Sequence, residues 1–191
     1  LKKFFLALGG IGLFFGVLMV VGNFVFIPVR IHGQSMYPAI SCGDSIIING
    51  MSSEPELFDV VVFRVTEEIN YVKRVIGLPG QHVAYVNDQL YIDGRQVDRE
   101  YLGQTKERLA DNRMWRRPPN SRRFTDDFVL GDICQINDFG DCPVIPEGYF
   151  LVLGDNRPNS TDSRHIGLVH KGQLMGVSQM IHWPPSRFGL K

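Results

Sequence analysis

Net charge is the first thing this chain lacks. Its 20 Lys and Arg are matched by 20 Asp and Glu, so it has no strongly basic balance of the kind by which nucleic-acid-binding domains usually show themselves. Metal chemistry has equally little to work with. Neither a CxxC pair nor an HExxH sequence occurs, and the five histidines, His32, His82, His165, His170 and His182, fall without ligand spacing. No metal and no other cofactor is therefore expected. Cysteine is sparse, at three residues. In an oxidising compartment Cys134 and Cys142 can close a small loop, which leaves Cys42 over as a thiol expected to be buried or reactive. No internal repeat and no second soluble domain is visible. The 191 residues suffice for one membrane anchor and one domain with a substantial core.

Formal charge is absent altogether from residues 4–27, a run of 24 in which Asn23 is the only strongly polar side chain. As a helix such a run reaches roughly 36 Å, against a bilayer core of about 30 Å. A cleaved leader has a shorter apolar core, of about 7–15 residues, and a small-residue cleavage site after it, which is missing here. A helix of a soluble protein would show a polar face. The run is therefore expected to be a transmembrane helix within an N-terminal anchor over residues 1–29. Lys2 and Lys3 precede it, so its N-terminus is expected in the cytoplasm and residues 30–191 outside, with Arg30 and His32 as opposing charges.

Beyond the anchor the pattern changes to short strands. Residues 45–48 follow the turn signal Gly43-Asp44, and residues 59–65 and 71–76 are β-branched runs. Residues 82–86, 90–92 and 96–97 read as small strands separated by Asn87-Asp88-Gln89 and Asp93-Gly94, which suit tight hairpins. No convincing amphipathic helix occurs between Ile31 and Val97, so the fold class is mainly β and antiparallel. Residues 98–146 turn polar and irregular. They carry Arg113, Arg116, Arg117, Arg122 and Arg123 beside Trp115 and read as a surface insertion, with anionic lipid as an alternative partner for its basic run. Residues 149–153 resume as a strand, and residues 166–181 are expected to hold one or two closing strands.

Two stretches then offer chemistry. Gly33-Gln34-Ser35-Met36-Tyr37-Pro38 sets a serine between a permissive glycine and a rigid proline. Tyr71-Val72-Lys73-Arg74-Val75-Ile76-Gly77 sets a lysine inside an apolar strand, on one face with Tyr71 and Val75. A serine hydroxyl needs a base to take its proton. A lysine serves as that base once burial lowers its pKa, whereas Arg74 does not deprotonate. The pair suggests a hydrolase that needs neither histidine nor metal.

A third stretch completes a pattern. Ser35-Met36-Tyr37-Pro38, then Lys73-Arg74-Val75-Ile76-Gly77-Leu78-Pro79-Gly80, then Gly154-Asp155-Asn156-Arg157 with Ser160, Asp162, Ser163 and Arg164, follow an anchor in that order. Together they resemble the type I signal peptidases (leader peptidases), membrane-bound serine proteases with a Ser/Lys dyad. The resemblance runs from the anchor to about Gly167. It implies an all-β domain of two antiparallel sheets with exposed apolar surface resting on the membrane, in the bacterial inner membrane with the catalytic domain on the extracytoplasmic side. It implies Ser35 as nucleophile and Lys73 as general base. Ser160 matches a serine that hydrogen-bonds and orients the lysine. Asp162 and Arg164 match a charged pair that shapes the site, and Asp155 matches an acidic support residue for which Arg74 is a partner. These carboxylates are given structural roles, because a carboxylate beside the base would hold it protonated.

The resemblance also implies cleavage after small side chains, in an Ala-x-Ala pattern, by shallow apolar pockets. The matching pocket positions are Ile31, Met36, Ile40, Tyr71 and Val72. The implied partners are precursor proteins bearing signal peptides, membrane lipid and the secretion translocon. Some Gram-negative relatives carry a short-range disulfide in an added domain, which implies the same for Cys134 and Cys142. Position 33 departs from the pattern: some members carry a serine there as a second oxyanion donor, and this chain has Gly33. Competing readings are a specialised relative that processes pilin precursors, an inactive membrane-tethered scaffold, and a Ser/His/Asp triad drawn from the five histidines. A cytoplasmic self-cleaving repressor is disfavoured by the anchor and by the lack of a DNA-binding segment.

Overall fold

The computed structural model describes residues 25–51, 54–97 and 124–190, together with residues 10, 12 and 16. In chain order the strands are β1 (Phe26–Arg30), β2 (Ser45–Asn49), β3 (Val60–Arg64), β4 (Asn70–Gly77), β5 (Val83–Val86), β6 (Gln89–Ile92), β7 (Arg95–Val97) and β8 (Phe128–Val129). A helix α1 (Leu130–Ile136) leads to β9 (Tyr149–Leu153) and a one-turn helix α2 (Ser163–Ile166). Strands β10 (Val169–His170), β11 (Leu174–Trp183) and β12 (Gly189–Leu190) close the chain. Among the described residues the strands form two antiparallel sheets. The larger runs β1-β2-β11-β3-β4-β9-β10, with β12 added to β11, and the smaller runs β7-β6-β5-β8.

Local chemistry accounts for these elements. Asn87-Asp88 and Asp93-Gly94 both have positive φ at their two central residues, the left-handed pair that matches a hairpin turn to the twist of its strands. Strand β2 alternates, with Ile46 and Ile48 fully buried and its other residues half-buried. Strand β3 is buried on both faces. Val60 and Val62 join Ile31, Met36, Ile46 and Ile48, whereas Val61 and Phe63 join Val75, Phe150 and Val152. That is why its sequence is a continuous apolar run rather than an alternating one. A third cluster, around Tyr85, Leu90, Leu130, Ile133 and Leu151, lies where the small sheet meets α1 and β9.

Three expectations need revision or delimiting. Phe26 and Ile27, read as the end of the apolar run, begin strand β1. Pro28 is tolerated there because, among the described residues, β1 is an edge strand paired only with β2. The segment read as an irregular polar insertion is structured in its described part: residues 124–146 contribute β8 and α1, whose Leu130, Ile133 and Cys134 form a buried stripe. Its remainder, with Arg113, Trp115, Arg116, Arg117, Arg122 and Arg123, lies outside the described residues. So does most of the expected transmembrane helix over 4–27; among the described residues no helix is long and apolar enough to cross a membrane. Cys134 and Cys142 are joined as a disulfide, and Cys42 is free and exposed rather than buried.

Ile133 is 1% exposed within the third cluster. Ile133→Ala should therefore cost about 2–5 kcal/mol of stability, read as a lower unfolding midpoint. A change within about 0.5 kcal/mol would return this segment to the status of a solvated insertion.

Candidate active site

Between β1 and β2 the chain makes a loop closed at its neck. Ile31 N–H donates to the Asp44 carbonyl at 2.8 Å, and Gly43 N–H donates back to the Ile31 carbonyl at 3.0 Å. Gly33, at φ +88°, opens a turn in which Tyr37 N–H reaches the Gln34 carbonyl and Ile40 N–H reaches the Met36 carbonyl. Met36 and Ile40, four residues apart, are driven into the core beside Ile31. Their burial leaves Ser35 half-buried at the surface of the turn.

Strand β4 brings Lys73 to this serine. Its Nζ lies 2.8 Å from Ser35 Oγ, and its side chain passes over the Tyr71 ring, 4.8 Å from the centroid. Lys73 is 3% exposed. Burial lowers its pKa from 10.5 to about 8, against the opposing pull of the Asp162 and Asp155 carboxylates. Each of these carboxylates has its own cation. Asp155 receives Arg74 through two bonds, Nε at 2.9 Å and Nη2 at 2.6 Å, and Arg74 Nη1 also donates to the Phe58 carbonyl. Asp162 receives Arg164 through Nε at 2.8 Å and Nη2 at 2.9 Å, and accepts Gly154 N–H at 3.0 Å. Burial alone would raise the Asp162 pKa, but Arg164, the Gly154 amide and the nearby Ser160 hydroxyl outweigh it and hold the group below its ordinary value. Bidentate pairing of this kind spends each carboxylate on a guanidinium, so the lysine amine is not forced to stay charged.

The end of β9 ties serine and lysine together. Asn156 N–H donates to the Ser35 carbonyl at 2.9 Å, and Asn156 Nδ2 donates to the Gln34 carbonyl at 2.9 Å. Gly154 sits where three segments converge: an added Cβ would overlap Ser160 and lie 2.6 Å from the Ser35 carbonyl oxygen. Arg157 is buried, with Nε on the Gly154 carbonyl and its guanidinium over the Tyr85 ring. Sequence reasoning missed Asn156 and Gly154 as supports. The only available signal was their place in the third motif, which does not say what they touch.

The sequence-derived residues do not all behave alike. Ser35, Lys73, Asp155, Asp162 and Arg164 come together as described. Ser160 is buried beside them with its hydroxyl at the Asp162 carboxylate, whose charge it helps to hold, and the lysine amine meets Ser35. Ile31, Met36, Tyr71 and Val72 line a groove of about 670 Å³ that also contains Ser35 and Lys73. Ile40 does not line it and is wholly buried in the core. Strand β4 pairs with β9 only from Arg74 onward, so, among the described residues, positions 70–73 present an unpaired strand edge to the groove. Among the described residues no cluster of His, Cys, Asp and Glu could hold a metal ion.

Comparison with known proteins places the chain in a family. The family model described as "Signal peptidase, peptidase S26" matches residues 4–183. A signal peptidase I of Bacillus caldolyticus is 37% identical over 178 residues, covering 92% of this chain and 89% of that protein. A signal peptidase IB of Staphylococcus aureus is 37% identical, with 91% and 86% covered. The crystal structure of a signal peptidase I from Enterococcus faecalis V583 is similar at a TM-score of 0.52 and 35% identity, over 65% of this chain and 96% of that one.

The buried amine has a consequence for stability. Between about pH 8 and 10.5 the unfolded lysine holds a proton that the folded one has released, so stability rises with pH across that window and the penalty is fully present below it. Lys73→Met should raise stability near neutral pH by roughly 3 kcal/mol and lose that advantage by about pH 10.5. Paired unfolding curves at pH 7 and pH 10 check this; an advantage independent of pH would contradict it.

Proposed function

Because the chain belongs to the signal peptidase family, we propose that it removes N-terminal signal peptides from exported precursors, with Ser35 as nucleophile and Lys73 as general base. The observation that carries this reading is the 2.8 Å contact between the Lys73 amine and the Ser35 hydroxyl in a site where both neighbouring carboxylates are already paired. Neutral Lys73 takes the Ser35 proton as Oγ attacks the scissile carbonyl. The Ser35 N–H is the oxyanion donor, and Gly33 has no hydroxyl to add a second. The ammonium then returns a proton to the leaving amine. Water, deprotonated by the same lysine, releases the acyl group and restores the serine. A Ser/His/Asp arrangement is less well supported. Asp162 is engaged by Arg164, and His165, 3.9 Å from it, is more than half exposed.

The groove supports the substrate preference. An extended peptide can pair with the open edge of β4 over residues 70–73, as an added strand. Ile31, Met36, Tyr71 and Val72 then restrict the side chains beside the cleaved bond to small ones, giving the Ala-x-Ala pattern. Membrane attachment fits the same picture. The apolar run 4–27 feeds directly into β1, and Phe26, Met51, Trp183 and Phe188 are exposed on β1, on β11 and in the segments following β2 and preceding β12. A single-pass anchor with the domain outside the cytoplasm puts the groove where a precursor emerges from the bilayer.

Cleavage of a secretory precursor by the detergent-solubilised protein tests this. Wild type should cut after Ala-x-Ala, and Ser35→Ala and Lys73→Ala should each lose about a thousandfold or more in rate. The rate constant kcat/KM should rise with pH through about 8 as the amine deprotonates. Ile31→Ala should admit larger residues at the cleavage site. A precursor left intact beside a cleaved pilin precursor would narrow the enzyme to the pilin-type specialist. Cleavage that survives Lys73→Ala would overturn the dyad.

A further inference from the structure

The turn that carries Ser35 is held at both ends, by different parts of the chain. Its entry is fixed by Asn156, as described. Its exit is fixed from far along the sequence by Arg187, in the 3-10 turn Pro185–Arg187 between β11 and β12. Arg187 Nη2 donates to the Pro38 carbonyl at 3.0 Å and to the Ala39 carbonyl at 2.9 Å. Its Nη1 donates to Ser41 Oγ. The same guanidinium is paired with the Asp44 carboxylate at 3.3 Å. Asp44 is 2% exposed and accepts the Ser41 N–H at 2.8 Å. One side chain thus gathers two carbonyls, a hydroxyl and a carboxylate spread over residues 38–44.

We infer that Arg187 is a positioning residue for Ser35: it fixes the backbone that follows the nucleophile and so sets the direction of its hydroxyl and N–H. This rests on the reading of Ser35 as nucleophile. A planar guanidinium holds five N–H donors in a fixed fork that reaches these acceptors together, whereas an ammonium has three donors on one nitrogen at the end of a flexible stem. Loss of the fork removes its bonds to the Pro38 and Ala39 carbonyls while the buried side chains of the turn, Met36 and Ile40, stay in the core. The turn then remains folded but loosens at the nucleophile. A misplacement of about 1 Å there can cost up to about a hundredfold in rate.

Arg187→Lys and Arg187→Ala test this, with Ser35→Ala as the inactive control. Lysine keeps a positive charge beside Asp44 but not the fork. It should keep the melting midpoint near wild type, lower kcat about tenfold or more and leave KM within about twofold. Ethylguanidinium added to Arg187→Ala should recover part of the lost kcat. In both variants hydrogen exchange of the amides in residues 34–41 should quicken by about tenfold, whether or not the chosen precursor is a substrate. Exchange unchanged from wild type overturns the inference, even if cleavage falls. So does full kcat in Arg187→Lys with faster exchange. A wild type that does not cleave any precursor, while exchange responds as expected, removes the peptidase reading and leaves the anchoring of the turn.

Discussion

A lysine amine stripped of water and set 2.8 Å from a serine hydroxyl is the contact on which the other features of the site depend. Water would keep that amine charged, because an ammonium in solvent titrates near 10.4. Burial between β3, β4 and the turn after β1 removes the water. Burial alone would not suffice with two carboxylates close by, since either one left unpaired would restore the charge. Arg74 and Arg164 answer this by taking Asp155 and Asp162 in bidentate pairs. The cations therefore act on the lysine indirectly: they permit carboxylates to be buried near a neutral amine.

The fold provides the rigidity that such an arrangement needs. Strand β4 belongs to the large sheet, and its last residues pack against the small sheet through Ile76. Lys73 thus projects from a strand held by β3 along its length and by β9 from the next residue onward. The serine, in contrast, lies in a loop, and a loop aims a side chain only where its backbone is tied. Here the ties are the core anchors Met36 and Ile40, the Asn156 bonds at its entry and the Arg187 bonds at its exit. Two of these ties come from segments more than a hundred residues away in sequence, which couples the order of the site to completion of the whole sheet.

Much of this was legible in the sequence. Strands β2 to β7 and β9 follow from β-branched runs and turn residues, because a half-buried pleat and a tight hairpin impose local requirements. Ser35 and Lys73 follow from their motifs. What was not legible is what depends on partners. Strand β1 was hidden because Pro28 and an apolar run argue against a strand until an edge position is known. Helix α1 is seven residues long and starts beside a glycine, too short for its stripe to stand out. Ile40 read as a pocket position and proved to be core, since the motif cannot distinguish a side chain facing the groove from one facing away. Ser160 read as the lysine's partner, but its hydroxyl lies by Asp162. The clamp by Arg187 has no local signature at all, because its acceptors are backbone carbonyls.

The central claim is that burial lets the Lys73 amine release its proton near pH 8 in the folded protein. Nuclear magnetic resonance of lysine side chains labelled with 13C at Cε, with Lys73 assigned by comparison with Lys73→Met, measures this directly. The account predicts a Lys73 resonance that titrates near pH 8. A Lys73 signal that titrates near the ordinary lysine value of 10.5 would contradict it.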